Sequence, residues 1–217
     1  LGNVRINTNY VEFDNVRKGE RLATELKVVN TERTAYKPEL MHLPPYLQVE
    51  NVPEVIPGGQ VGTIRLILDS DKLTSYGLNQ TSLYLARYSG DKIGETNEIV
   101  VSSVLLPQAS SSLSAGGVVK LSDDEIIFNR NAKKMKAIVT VTNDGKMPLS
   151  VHSLQVFNHA VEVSLSNRVI QPGKSAKLKV SVKKNLLGRF KARPRVLIVS
   201  DDANTPVKTL NIVIGDK

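Results

Sequence analysis

The chain has no cysteine and no tryptophan, only three histidines, few aromatic residues and no apolar run long enough to cross a bilayer. Each absence removes a class of function. Without cysteine there are no disulfides, no thiolate metal sites and no cysteine nucleophile. The whole supply of imidazole is His42, His152 and His159; the last two stand seven residues apart, so on one strand they would face opposite sides. They read as surface or loop residues. The longest apolar stretch, "IVVSSVLL", is broken by serine and falls well short of the roughly 18 to 20 residues of a membrane-spanning helix, so no membrane span is expected.

Catalytic frames are missing too. No Gly-x-Ser-x-Gly elbow occurs, and the acids of "SDDE" (122–125) and "SDDANT" (200–205) lack the alternation and distal glutamate of a calcium loop, so they read as turn-forming. The reading is of no enzyme, with no catalytic, metal-binding or cofactor-binding residue and no cofactor.

What the chain does contain is a period of two. In "AKLKVSV", Leu178, Val180 and Val182 are expected to face a core while Lys177, Lys179 and Ser181 face water. In "KAIVTVTND", Ala137, Val139 and Val141 alternate with Lys136, Ile138, Thr140 and Thr142 in the same way. Helical spacing does not persist beyond two turns, and "YSGD", "NDGKMP" and "QPGK" punctuate the runs as turns. Short strands at this spacing predict an all-β sandwich or barrel.

The pattern occurs twice. "VRINTNYVEF" (4–13) aligns without a gap to "VKLSDDEIIF" (119–128), Asn30 falls on Asn143, and "VIPGGQVGTIRL" (55–66) aligns to "VIQPGKSAKLKV" (169–180) with Pro57 on Pro172. Each Pro-Gly pair reads as the turn before a strand, proline setting φ and glycine accepting a positive φ. At 217 residues the chain has room for two such cores. The expected layout is residues 1–106 as one β-sandwich, 107–117 ("PQASSSLSAGG") as a linker, and 118–217 as its duplicate.

Charge separates the copies. Residues 1–108 carry 11 Lys and Arg against 13 Asp and Glu, whereas residues 109–217 carry 18 against 8. From Lys174 to Arg195 every charge is positive. Lys177, Lys179, Lys183, Lys184, Arg189, Lys191, Arg193 and Arg195 are therefore the candidate polyanion-binding residues. Only Phe190 interrupts this run, and no recognition helix is present, so nucleic acid is not the expected partner. In an immunoglobulin-like topology, Lys177 and Lys179 would lie on one sheet and Arg193 and Arg195 on the other.

Taken together, Phe13 and Phe128, the strands ending in Asn30-Thr31 and Asn143-Asp144-Gly145, then "PLSV", "VIQPGKSAKLKVSV" and Gly188 with "RFKARPRVLIVSDD", resemble the Hydin-type (ASH, PapD-like) immunoglobulin-like domains. They are most similar to the bacterial domain-of-unknown-function modules of Gram-negative envelope proteins. Many of those modules carry a cysteine in the loop after the third strand; "HSLQVFNHA" and "MHLPPYLQV" have none. The resemblance implies two tandem immunoglobulin-like sandwiches of about seven strands each and localisation to the periplasm, cell surface or exterior, with a signal peptide removed. The start "LGNVRINTNY", with no methionine or apolar leader, is likewise expected of a processed or trimmed product.

The function expected is a non-catalytic cell-envelope or secreted interaction module, serving adhesion, spacing or scaffolding. Its expected partner is a protein, with an anionic polysaccharide or an envelope surface as further candidates. The alternatives are a periplasmic chaperone or assembly factor clasping a partner strand, and a polyanion-binding protein using the basic second copy.

Overall fold

The structure is a computed structural model that describes residues 4–107 and 116–215. Most of the stretch read as a linker, residues 108–115, lies outside the described residues. The chain divides into two compact units, Leu1–Leu105 and Leu106–Lys217.

In the first unit, β1 (Val4–Ile6), β3 (Arg21–Asn30), β6 (Val61–Asp69) and β5 (Leu47–Val52) form one sheet in the order β1-β3-β6-β5. The facing sheet is β2-β8-β7-β4, from β2 (Tyr10–Glu12), β8 (Glu98–Leu105), β7 (Gly77–Ala86) and β4 (Glu39–Met41). Between them lies a core that includes Val11, Phe13, Leu26, Ile64, Leu66, Leu83 and Ile99.

The second unit repeats this order strand for strand. One sheet is β9 (Val119–Leu121), β11 (Met135–Asn143), β15 (Ser175–Val182) and β13 (Val161–Leu165). The other runs β10-β17-β16-β12, from β10 (Glu125–Asn129), β17 (Val207–Gly215), β16 (Arg195–Ser200) and β12 (Leu149–Val156), with the two-residue β14 (Val169–Ile170) added beside β12. Each unit is thus an immunoglobulin-like β-sandwich. Strand segments exceed seven per unit because the first strand breaks and changes sheet, β1 pairing antiparallel with β3 and β2 then parallel with β8, and in the second unit also because β14 is added. Polar side chains hold the break. Asn7 Oδ1 accepts the Lys27 amide, and Ser122 Oγ accepts the Thr140 amide at the matching place.

The period-two reading places residues as they lie in β15, where Ala176, Leu178, Val180 and Val182 are buried and Lys177 and Lys179 are exposed. Burying each such aliphatic side chain contributes roughly 1.5 to 3 kcal/mol, which is why the alternation fixes the face.

The turn before β6 and β15 departs from the sequence alignment by one residue. In the second unit Lys174 N donates to Gln171 O, and Gly173 takes the positive φ (+68°) at the third turn position. In the first unit Gln60 N donates to Pro57 O, and the positive φ (+72°) falls on Gly59. Gly59, not Gly58, is therefore the counterpart of Gly173, and Pro172 stands where the first unit has Gly58. Sequence alone pairs the prolines; the hydrogen bonds pair the left-handed glycines.

Candidate functional site

The outward side chains of β15 are flanked on both sides, β11 on one and β13 on the other. Cross-strand register sets three rows: Lys136, Ser181 and Glu162; then Ile138, Lys179 and Ser164; then Thr140 opposite Lys177. The first two rows line a groove of about 670 Å³ on this face. Ile138 is 58% exposed within it. Lys183, at the end of β15, is tied to Glu162 by an ion pair at 2.5 Å. No such pair holds Lys136, Lys177 or Lys179 among the described residues, which leaves three ammonium groups in solvent beside hydroxyls and one apolar side chain.

The matching face of the first unit is neutral. There Arg65 occupies the position of Lys179, with Glu25 opposite it on β3 and Glu50 opposite it on β5. Arg65 bonds Glu50 at 3.4 Å. With Lys27 on the same face, two cations meet two carboxylates. In the second unit the positions of Glu25 and Glu50 are taken by Ile138 and Ser164. The difference between the copies is the loss of both acids around a retained central cation.

The remaining candidates lie elsewhere. Lys184 and Arg189 sit on a 3-10 segment, Lys184–Arg189, after β15. Lys184, Lys191 and Arg193 line a second groove of about 610 Å³, together with Leu187, Phe190 and Ile214. Arg193 precedes β16 rather than lying on it. Arg195 opens β16, but its guanidinium stacks on the Phe157 ring at 4.0 Å, a cation–π contact that takes it out of any broad outer face. The eight candidates therefore do not converge: Lys177, Lys179 and Lys183 go with the β15 face, Lys184, Lys191 and Arg193 with the second groove, and Arg189 and Arg195 with neither. Lys136 and Ile138 belong to the face but were not singled out by sequence. Their alternation was legible, whereas their register against Lys179 was not.

The other chemistry-bearing side chains are structural. His42, at φ +62°, packs edge-to-face on Tyr84, and His159, in the turn after β12 rather than on it, does the same on Phe190. His152 is exposed on β12. Among the described residues no three metal-ligating side chains are grouped to hold an ion. In "SDDANT", buried Asp202 accepts the amides of Val119, Asn204 and Thr205, and Asp201 accepts that of Ser150, so these carboxylates tie loops to strands.

The fold and the face define a two-domain immunoglobulin-like protein. Residues 119–212, within the second unit, match the model of the HYDIN/CFA65/VesB-like, Ig-like domain. No curated protein matches the chain. A solved protein of unknown function from Porphyromonas gingivalis W83 is similar over 98% of this chain and 99% of that chain, at 18% identity and a TM-score of 0.71, and shares the fold. The YadV chaperone (12% identity, 95% of this chain and 97% of that chain, TM-score 0.32) and the Pseudomonas aeruginosa CupB2 chaperone (14%, 91% and 94%, TM-score 0.33) are more distant. The likeness to the Porphyromonas gingivalis protein speaks to fold and not to activity.

Proposed function

We propose that the chain is a non-catalytic interaction module of the cell envelope, in which the second unit carries the contact face and the first serves mainly as a spacer. One observation carries this reading. The same position on the same sheet is charge-compensated in the first unit (Glu25, Arg65, Glu50) and uncompensated in the second (Ile138, Lys179, Ser164). Exposed aliphatic side chains occur on this sheet in both units (Ile138; Val52 and Val61), so what sets the second apart is its unpaired lysines, for which a purely structural duplicate has no need. The immunoglobulin-like sandwich supports the reading by presenting rigid outer faces for contact.

The test is site-specific photo-crosslinking in the native host, with a photoreactive residue at position 138 or at position 25. Crosslinked species that depend on position 138, in an envelope or extracellular fraction, are expected. Equal crosslinking from both positions, or recovery of the protein in the cytosol alone, would overturn the proposal.

A further inference from the structure

We infer that the outer face of β11, β15 and β13, its groove and the row beside it, binds an anionic polysaccharide, whose carboxylate or sulfate groups meet Lys136 and Lys179 in the groove and Lys177 next to it. This rests on the interaction-module reading and names a ligand class for the same face.

The charge pattern comes first. Lys177 and Lys179 alternate along β15, which puts them roughly 6.5 to 7 Å apart, and Lys136 stands one strand over and one row further on, strands being spaced about 4.8 Å. The three ammonium groups therefore form a slanted line across two strands rather than a single point. A ligand carrying one anion would engage one of them weakly, because an exposed ion pair is worth about 0 to 1 kcal/mol. A polymer with repeated anions engages all three at once and gains by effective concentration. The surplus of 18 basic over 8 acidic residues in this half of the chain steers such a polymer toward it.

The lining then selects among polyanions. Ser164, Ser181 and Thr140 stand beside the lysines, and each hydroxyl both donates and accepts. That suits a ligand that itself bears many hydroxyls. Ile138 and the lysine stems supply an apolar floor for the C–H faces of sugar rings. A nucleic acid strand is poorly served, because the face offers no aromatic ring for stacking and no helix to enter a groove. An acidic peptide adding to the sheet would dock along a free strand edge, whereas these cations stand on the face. The one carboxylate in the groove, Glu162, is neutralised by Lys183. A volume of about 670 Å³ accommodates a few sugar rings.

The second basic groove, around Phe190, is the weaker site because Lys191 and Arg130 in its lining are already engaged within the protein.

The test titrates the full chain with polygalacturonate (carboxylated), dextran sulfate (sulfated), neutral dextran, poly-glutamate and oligothymidylate, by calorimetry at about 50 mM and about 200 mM salt. Expected are binding of one or both anionic polysaccharides, none of neutral dextran, and weakening by about tenfold or more at the higher salt. The two polysaccharide arms distinguish carboxylate from sulfate. The variant Ile138→Glu with Ser164→Glu, which recreates the acid flanks of Arg65, is expected to weaken binding by about tenfold or more. Lys136→Gln with Lys179→Gln should do the same without adding charge, and guards against loss of binding through misfolding.

No binding of either polysaccharide, unchanged affinity in both variants, or tighter binding of poly-glutamate or oligothymidylate would overturn the inference. If polysaccharides fail while crosslinking from position 138 persists, the ligand class falls and the interaction module stands. If crosslinking from position 138 is also absent, the module reading falls with it.

Discussion

Asn30 and Asn143 do the same work in the two units: each is fully buried, and each side-chain amide donates to the carbonyl of an isoleucine, Ile56 at 3.1 Å and Ile170 at 2.8 Å. Each also donates to a carbonyl four residues on, Thr34 or Met147, while its Oδ1 accepts the amide two residues on, Glu32 or Gly145. The asparagine thus closes the loop after β3 or β11 and ties it to the segment leading into β6 or β15. No other residue type offers two donors and an acceptor in that volume.

Asn143→Asp is the sharpest test of this role. At neutral pH it strands the Met147 and Ile170 carbonyls against a buried carboxylate. Two unsatisfied acceptors at about 1 to 3 kcal/mol each predict a loss of about 2 to 6 kcal/mol from the second unit. Urea unfolding of the full chain measures it, and a loss below about 1 kcal/mol would deny the asparagine its bracing role.

The two adjacent glycines of the first unit are predicted to differ. An added Cβ on Gly59 meets nothing within 4 Å, so Gly59→Ala bears only the left-handed conformation, about 1 to 2 kcal/mol. A Cβ on Gly58 would stand inside contact with the main-chain carbonyl of Arg33. Gly58→Ala is therefore expected to be the more destabilising, because backbone and not a flexible side chain must yield. Thermal unfolding of the two single variants decides the order.

A pH dependence is built into the turn after β7. Asp91, almost fully buried, accepts Arg87 Nε at 2.9 Å and a terminal guanidinium nitrogen at 3.0 Å, as well as the amides of Arg87 and Lys92. The Arg87 guanidinium above all, and then these amides, hold its carboxyl well below the usual carboxylate range. A carboxyl more acidic in the folded than in the unfolded state contributes stability in full above the unfolded value near 4, and loses it as pH falls from there toward the folded value. Asp91→Asn is therefore expected to flatten the stability of the first unit between about pH 4 and pH 2 relative to the parent chain. Denaturant midpoints across that range check it, and parallel curves would deny the pair its share of acid sensitivity.

Much of the architecture was legible because strand alternation and turn chemistry are local. Leu178, Val180 and Val182 needed no partner to be read as inward-facing, and the repeat of Asn30 at Asn143 survived as identical letters. The one-residue slip at Gly58-Gly59 was not legible, since two glycines in a row look alike until φ separates them. The candidate face was half legible. Lys177 and Lys179 stood out as charge, but what makes them different from Arg65 is the identity of neighbours on other strands, Ile138 and Ser164, which only register brings together. Arg195 misled for the same reason: its charge is plain in sequence, and the Phe157 ring beneath it is not.

Register also predicts that the face can be rewritten at little cost to stability. In Ile138→Glu with Ser164→Glu, the new carboxylates flank Lys179 as Glu25 and Glu50 flank Arg65. Exposed cross-strand ion pairs contribute roughly 0 to 1 kcal/mol, and exchanging an exposed isoleucine for glutamate on a strand costs up to about 1 kcal/mol in β-propensity, so the two effects nearly cancel. The expected shift in stability is within about 1 kcal/mol at low salt and slightly less favourable at high salt, where the pairs are screened. Urea unfolding at both salts measures it. Stability retained would show that the sheet has no need of an isoleucine at position 138; a loss above about 2 kcal/mol would make Ile138 part of the packing and leave the unpaired lysines alone to mark the face.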